Sequence, residues 1–116
     1  MISTQDVIDH HLQSFSQGDL QGILADYAPG AVLFTPETPL RGPNAMRPLY
    51  HGLIREFKAP GAKFTLQRQS VDGEYAYIVW TGETADNVYE LATDTFVVRD
   101  GKIVAQSFAS KVTPKN

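Results

Sequence analysis

Two side chains stand where an apolar pattern should continue, and both are types that move protons. His11 falls within a stripe of Val7, Ile8, Leu12 and Phe15 recurring at helical spacing. An imidazole between Ile8 and Phe15 is either a structural histidine at the edge of the stripe or an acid–base group facing a pocket. Asp94 interrupts the otherwise uncharged run from Leu91 to Val98. Strand alternation groups it with Ala92, Phe96 and Val98 on one face. A carboxyl among such neighbours must be paired, or neutral with a raised pKa. It is either a structural aspartate bonded to a helix end or backbone donor, or a pocket group. If His11 and Asp94 share a cavity, the carboxylate orients the imidazole or, when neutral, donates to a developing oxyanion.

Other chemistry finds little support. Glu90 shares the strand parity of Asp94, but a bulge between them would reverse its side. His10 and His51 lie off the main stripes and are expected in solvent. His10 and His11 are adjacent and diverge on a helix, so no metal cluster is expected. The absence of cysteine excludes disulfides, thiolate zinc sites and a cysteine nucleophile. The Gly-x-Ser-x-Gly motif, phosphate-binding loops and dinucleotide fingerprints are also missing, so no cofactor is expected. Phe15, Tyr27, Phe34, Met46, Tyr50 and Phe57 serve either as core or as ligand wall.

The elements that must hold these residues follow from local signals. Ser3 with Asp6 three residues on resembles a capping box, and Gly18 suits the end of the first helix. Asp19 caps a second helix carrying Leu20, Ile23, Leu24 and Tyr27, stopped by Pro29-Gly30. Ala31–Phe34 reads as a strand and 35–43 as a proline-rich loop. A third helix places Met46, Tyr50, Leu53 and Phe57 on one face, with Pro48 near its first turn and Ala59-Pro60-Gly61 as its end. Segments 62–71, 74–82, 87–99 and 102–111 read as antiparallel strands, with hairpin turns at Asp72-Gly73 and Asp100-Gly101. Three N-terminal helices on a strongly curved antiparallel sheet define an α+β fold with a concave face. Such concavities take small ligands.

The 116 residues and 12.8 kDa suit a single domain, 1–116, with one core. A net charge of -3 and a pI near 5.5 argue against nucleic acid as a partner. No apolar run suits a membrane span and no secretory pattern opens the chain, so a cytoplasmic protein is expected.

Residues Phe15-Ser16-Gln17-Gly18-Asp19-Leu20-Gln21-Gly22-Ile23-Leu24 and Tyr27-Ala28-Pro29-Gly30-Ala31-Val32 resemble the opening of the SnoaL-like branch of the nuclear transport factor 2 superfamily. The stretch Asp94–Val104 is similar to its last hairpin. The resemblance implies a cone-shaped α+β barrel, open at one end, paired as a homodimer through the outer sheet face. It places Tyr77, with Val79 on its face, inside the cone and Trp80 outside, in the dimer contact. It puts Gln106 and Phe108 inside. Ketosteroid isomerases of this superfamily carry a first-helix tyrosine, a general-base aspartate after the first strand and a protonated late-strand aspartate. Those positions correspond to His11, Thr35 and Asp94, so one of three is kept. The expected function is binding of a small, largely apolar organic molecule. Catalysis, if present, is cofactor-free isomerisation, dehydration or cyclisation with His11 and Asp94 as acid–base partners. The alternative is a non-catalytic ligand-binding or dimerisation module.

Overall fold

A computed structural model describes residues 2–115. Helices α1 (Thr4–Gln17) and α2 (Leu20–Ala25) precede strands β1 (Tyr27–Phe34) and β2 (Pro39–Arg41). Helix α3 (Pro43–Lys58) follows, then β3 (Lys63–Asp72), β4 (Tyr75–Glu83), β5 (Asn87–Arg99) and β6 (Lys102–Pro114). The Ser3–Asp6 capping box forms in both directions, Gly18 ends α1 at φ 69°, and Asp19 accepts from the Gly22 amide at 2.9 Å. These short-range signals act as expected because each satisfies helix-end groups within a few residues.

Three local expectations change. Helix α2 stops at Ala25, and β1 begins at Tyr27 rather than Ala31, so the Pro29-Gly30 pair lies inside the strand. The proline-rich segment contributes the short edge strand β2, paired antiparallel to β1 through Leu33 and Leu40. Pro43 opens α3 behind Gly42 at φ 84°, which leaves Pro48 in the second turn. Pro48 is exposed, so the carbonyl it leaves unpaired, that of Asn44, faces water and the cost is contained.

The sheet runs β2-β1-β6-β5-β4-β3 and is mixed, because β1 pairs with β6 in parallel. The expectation of a purely antiparallel sheet is therefore corrected. The first strand pairs with the last, a long-range contact with no local signal. Among the described residues the sheet does not close, and β2 and β3 are its edges.

Curvature comes from bulges aligned across the sheet. The pairing register slips at Gln67 in β3 and at Glu90 in β5, on either side of β4, which carries no extra residue there. Gln67 Nε2 donates to Thr81 Oγ1 at 3.1 Å, tying the β3 bulge to β4. Each extra residue bends its strand, and together they fold the sheet along one line. The two hairpins differ. Asp100 and Gly101 both take positive φ (53° and 74°), as a type I′ turn needs. The β3–β4 turn instead centres on Gly73-Glu74, one residue later than expected, with Asp72 still paired to Tyr75.

The helices cover the concave side. Val7, Ile8, Ile23, Leu24, Met46 and Tyr50 meet Ala76, Ile78, Ala92, Phe96, Val98 and Ile103 in a single core.

Candidate active site

The helix stripe and the inner sheet face do not fill the cone. A cavity of about 60 Å3 remains, enough for several waters or one small organic group. Its apolar walls come from α1 (Leu12, Phe15), α3 (Leu49, Leu53) and the sheet (Leu33, Ile78, Phe96, Phe108). Phe64, 37 % exposed, lines the side toward solvent. The polar groups that line the cavity, His11, Tyr50, Asp94 and Gln106, are all buried, and Trp80 joins them.

Register explains which strand residues point inward. Asp94 pairs with Ile78 on one side and Phe108 on the other, and Gln106 pairs with Phe96 and Leu33. Directly paired residues share a face. The expected inward set of Ala92, Asp94, Phe96 and Val98 is buried as a block, with Gln106 and Phe108 beside it. The same register inverts the β4 expectation. Trp80 pairs with Ala92 and therefore points into the cone, 6 % exposed, whereas Tyr77 pairs with Thr95 and points outward, 38 % exposed. Val79 follows Tyr77. Both faces of β4 are apolar, so sequence alternation alone gave no sign.

Phe34 is likewise displaced from the wall. It pairs with Ser107 on the outward side and is exposed, leaving Leu33 inside. Met46 lies in the solid core. Phe57 stands behind the cavity against Phe15, Phe64, Trp80 and Tyr89. The bulge puts Glu90 outside the cone, where it accepts from Thr113 and pairs with Lys111 at 3.6 Å. Thr35 ties the 35–38 turn through its own hydroxyl, which accepts from the Glu37 and Thr38 amides. Among the described residues no three His, Cys, Asp or Glu side chains are grouped to hold a metal ion.

The buried polar groups form one contiguous cluster. Trp80 Nε1 donates to Asp94 Oδ2 at 3.0 Å, and Gln106 Nε2 donates to Asp94 Oδ1 at 2.8 Å. The second bond fixes the Gln106 amide with its oxygen toward Tyr27, whose hydroxyl donates to it at 2.5 Å. The Tyr50 hydroxyl lies 2.5 Å from that of Tyr27. His11 Nε2 faces both phenols, 3.3 Å from Tyr27 Oη and 3.5 Å from Tyr50 Oη. On its other side His11 Nδ1 meets Asp26 Oδ2 at 3.0 Å. A carboxylate there accepts, so Nδ1 carries the hydrogen and Nε2 presents its lone pair to the phenols and the cavity.

His11 is thus oriented by Asp26, while Asp94 reaches it only through Gln106 and Tyr27. Asp26 and the hub role of Tyr27 are the functional features that sequence reading missed. Burial lifts the Asp94 carboxyl above its ordinary 3.8, against the pull of the Trp80 and Gln106 hydrogen bonds and of His11. Burial also raises the Tyr27 and Tyr50 phenols, so both stay protonated at neutral pH. Among the described residues no buried side-chain polar atom lacks a partner. With the Tyr27 hydrogen on Gln106 Oε1 and the Tyr50 hydrogen on Tyr27 Oη, the Nε2 lone pair of His11 faces phenol oxygens and the cavity, open to a proton from a molecule bound there.

The fold and site define a cone-shaped α+β protein whose apolar chamber ends in a buried acid–base network. Residues 8–106 match the profile of the SnoaL-like domain, and the chain belongs to that family. No match is found among curated proteins. A nuclear transport factor 2-like protein of unknown function from Mesorhizobium loti is similar in structure, with TM-score 0.79 and 24% identity over 93% of this chain and 90% of that one. A putative ketosteroid isomerase from Kribbella flavida gives 0.76 and 14% over 93% and 77%. A putative polyketide cyclase from Sinorhizobium meliloti gives 0.72 and 19% over 89% and 93%. At these identities the likeness extends to the fold.

Proposed function

We propose that the chamber binds a small, largely apolar organic molecule with one polar oxygen, and that His11 moves a proton on it without a cofactor. Isomerisation, dehydration and cyclisation all fit this chemistry, and solved relatives described as a putative isomerase and a putative cyclase share the fold. The observation that carries the reading is that His11 and Asp94 both line the same cavity, with Gln106, Tyr27 and Tyr50 packed between them as one buried polar cluster. His11 is the acid–base group. Tyr50, on turning its hydrogen from Tyr27 to the ligand, and Asp94, when protonated, stabilise negative charge on the ligand oxygen. Phe15, Phe96, Gln106 and Phe108 shape the walls.

Deuterium uptake by cyclohexanone in heavy water tests this without knowledge of the natural substrate. Saturable exchange at the carbon beside the carbonyl, abolished in His11→Ala, is expected. Saturable binding without exchange would support the second reading, a non-catalytic ligand-binding module. That reading draws on the Thr35 position, which offers no carboxylate base, and on the network's full internal satisfaction.

The outer sheet face is the proposed contact with a second copy of the chain. Tyr75, Tyr77 and Leu91 are exposed there beside Thr93, Thr95, Val97, Ser107 and Ala109. It is a partly apolar surface bordered by Arg68, Asp72 and Lys111, which pair with Val79, Tyr75 and Leu91 on the same face. Trp80 takes no part in it. Sedimentation of Tyr77→Lys as a monomer, against a dimeric parent, would support this contact, and a monomeric parent would refute it.

A further inference from the structure

The buried network does not end at His11. Asp26 uses its second oxygen to hold another imidazole: His10 Nδ1 lies 2.7 Å from Asp26 Oδ1. The two histidines are consecutive in α1 and diverge, yet one carboxyl bridges them because it sits at the junction of α2 and β1, directly beneath that turn of helix. Side-chain exposure falls along the row, from 54 % at His10 to 11 % at Asp26 and 8 % at His11. His10 and Asp26 also line a separate open cleft with Asp6, Asp100 and Lys102, on the other side of the cone wall from the chamber. Lys102 is tied to the Ala25 carbonyl at 2.6 Å, so it does not neutralise the Asp26 carboxyl by direct contact. One carboxylate thus touches a solvent-facing imidazole and a chamber-facing one.

We propose that His10, Asp26 and His11 form a proton relay through the cone wall, by which the chamber exchanges protons with solvent while an apolar ligand fills its mouth. The inference rests on His11 being the acid–base group proposed above. Outward transfer balances as follows. His11 Nε2 takes a proton from the chamber, and its Nδ1 proton passes to Asp26 Oδ2. His11 is then neutral with hydrogen on Nε2, and Asp26 is a neutral acid. The carboxyl turns about Cβ–Cγ and presents its proton to His10. His10, half exposed, exchanges its two neutral tautomers through water, so its Nδ1 can accept that proton. The Nε2 proton of His10 then leaves to water and the Asp26 carboxylate is restored. One proton has crossed the wall and no other species is consumed; the same steps run inward return His11 to its Nδ1–H form, so the relay works as a reversible exchange. His10 touches no ligand and is a positioning and relay residue.

The test needs no substrate. In protein with 15N-labelled histidine, the exchange of the His11 Nδ1 proton with water is measured by saturation transfer. His10→Gln is expected to slow this exchange on the order of tenfold or more, the scale of a lost general acid–base step. His51→Gln, an exposed histidine outside the row, should leave it unchanged. Phe64→Ala widens the rival route through the mouth. Exchange in His10→Gln within about twofold of the parent, or a marked acceleration in Phe64→Ala, would overturn the relay. His10 is exposed enough for its variant to fold, and Asp26→Asn, whose amide cannot carry the proton, should give the same slowing. Cyclohexanone binding in the same samples separates the two ideas, since loss of the relay leaves binding intact and absent binding in the parent defeats the ligand reading alone.

Discussion

Asp94 couples the stability of the fold to pH in a sense opposite to most carboxylates. Its folded-state pKa is raised by burial, so the folded chain holds a proton where the unfolded chain has released it. Stability from this group is therefore present at low pH and is lost as pH rises from about 3.8 toward the raised value, after which the loss is constant. Asp94→Asn removes that titration. Urea unfolding across the acid range should show the parent losing stability relative to the variant as pH rises through this window, and parallel curves would contradict the burial argument. His11 and Asp94 were legible in the sequence because each interrupts an apolar pattern. Asp26 was not, since an aspartate between a helix and a strand is ordinary turn chemistry. Tyr27 reads only as core or wall, because an aromatic in a stripe gives no sign of where its hydroxyl points.

Elements are pinned to one another by a few polar and steric contacts. Glu56 on α3 accepts from Thr84 Oγ1 at 2.6 Å, Asn87 Nδ2 at 2.8 Å and Tyr89 Oη at 2.7 Å, fastening the helix to the β4–β5 connection. Partial burial pushes its carboxyl upward, but the three hydrogen bonds outweigh that and hold it below 4.5. A lowered pKa contributes stability above 4.5 that is lost as pH falls through the folded value. Glu56→Gln should therefore be less stable than the parent at neutral pH, with the gap closing on acidification; a gap independent of pH would contradict this. Gly82 leaves no room for a methyl group, since a Cβ would lie 2.9 Å from Phe57 Cε1 and 3.1 Å from the Lys63 carbonyl. Gly82→Ala should cost about 1–3 kcal/mol in thermal or urea unfolding, and an unchanged midpoint would show that Phe57 yields freely. Caps and the Asp100-Gly101 turn were readable because their partners are local. Strand register was not, because the bulges at Gln67 and Glu90 carry no residue signature and each one reverses the faces beyond it.

For the molecule as a whole, the order of helices and strands was legible from periodicity, the short edge strand β2 excepted, and with it the α+β class. The parallel pairing of β1 with β6 was not, because it joins residues some seventy positions apart that carry no mutual local signal. That pairing matters to the site: it brings Leu33 beside Gln106 and sets Tyr27 against the end of the last hairpin. No helix among the described residues is long and apolar enough to cross a membrane. The account as a whole requires an accessible chamber. Trp80 is the chain's only tryptophan, lines that chamber and donates its indole N–H to Asp94. Its single indole cross-peak in a 1H–15N spectrum therefore reports on the polar end without assignment of the rest. Titration with phenol, a small ring bearing one hydroxyl, should move that peak saturably, together with the His11 ring signals, and Ile78→Phe, which fills the space, should abolish the response. Phenol shifts confined to outer-face residues such as Tyr77, with the Trp80 and His11 signals fixed, would contradict the account.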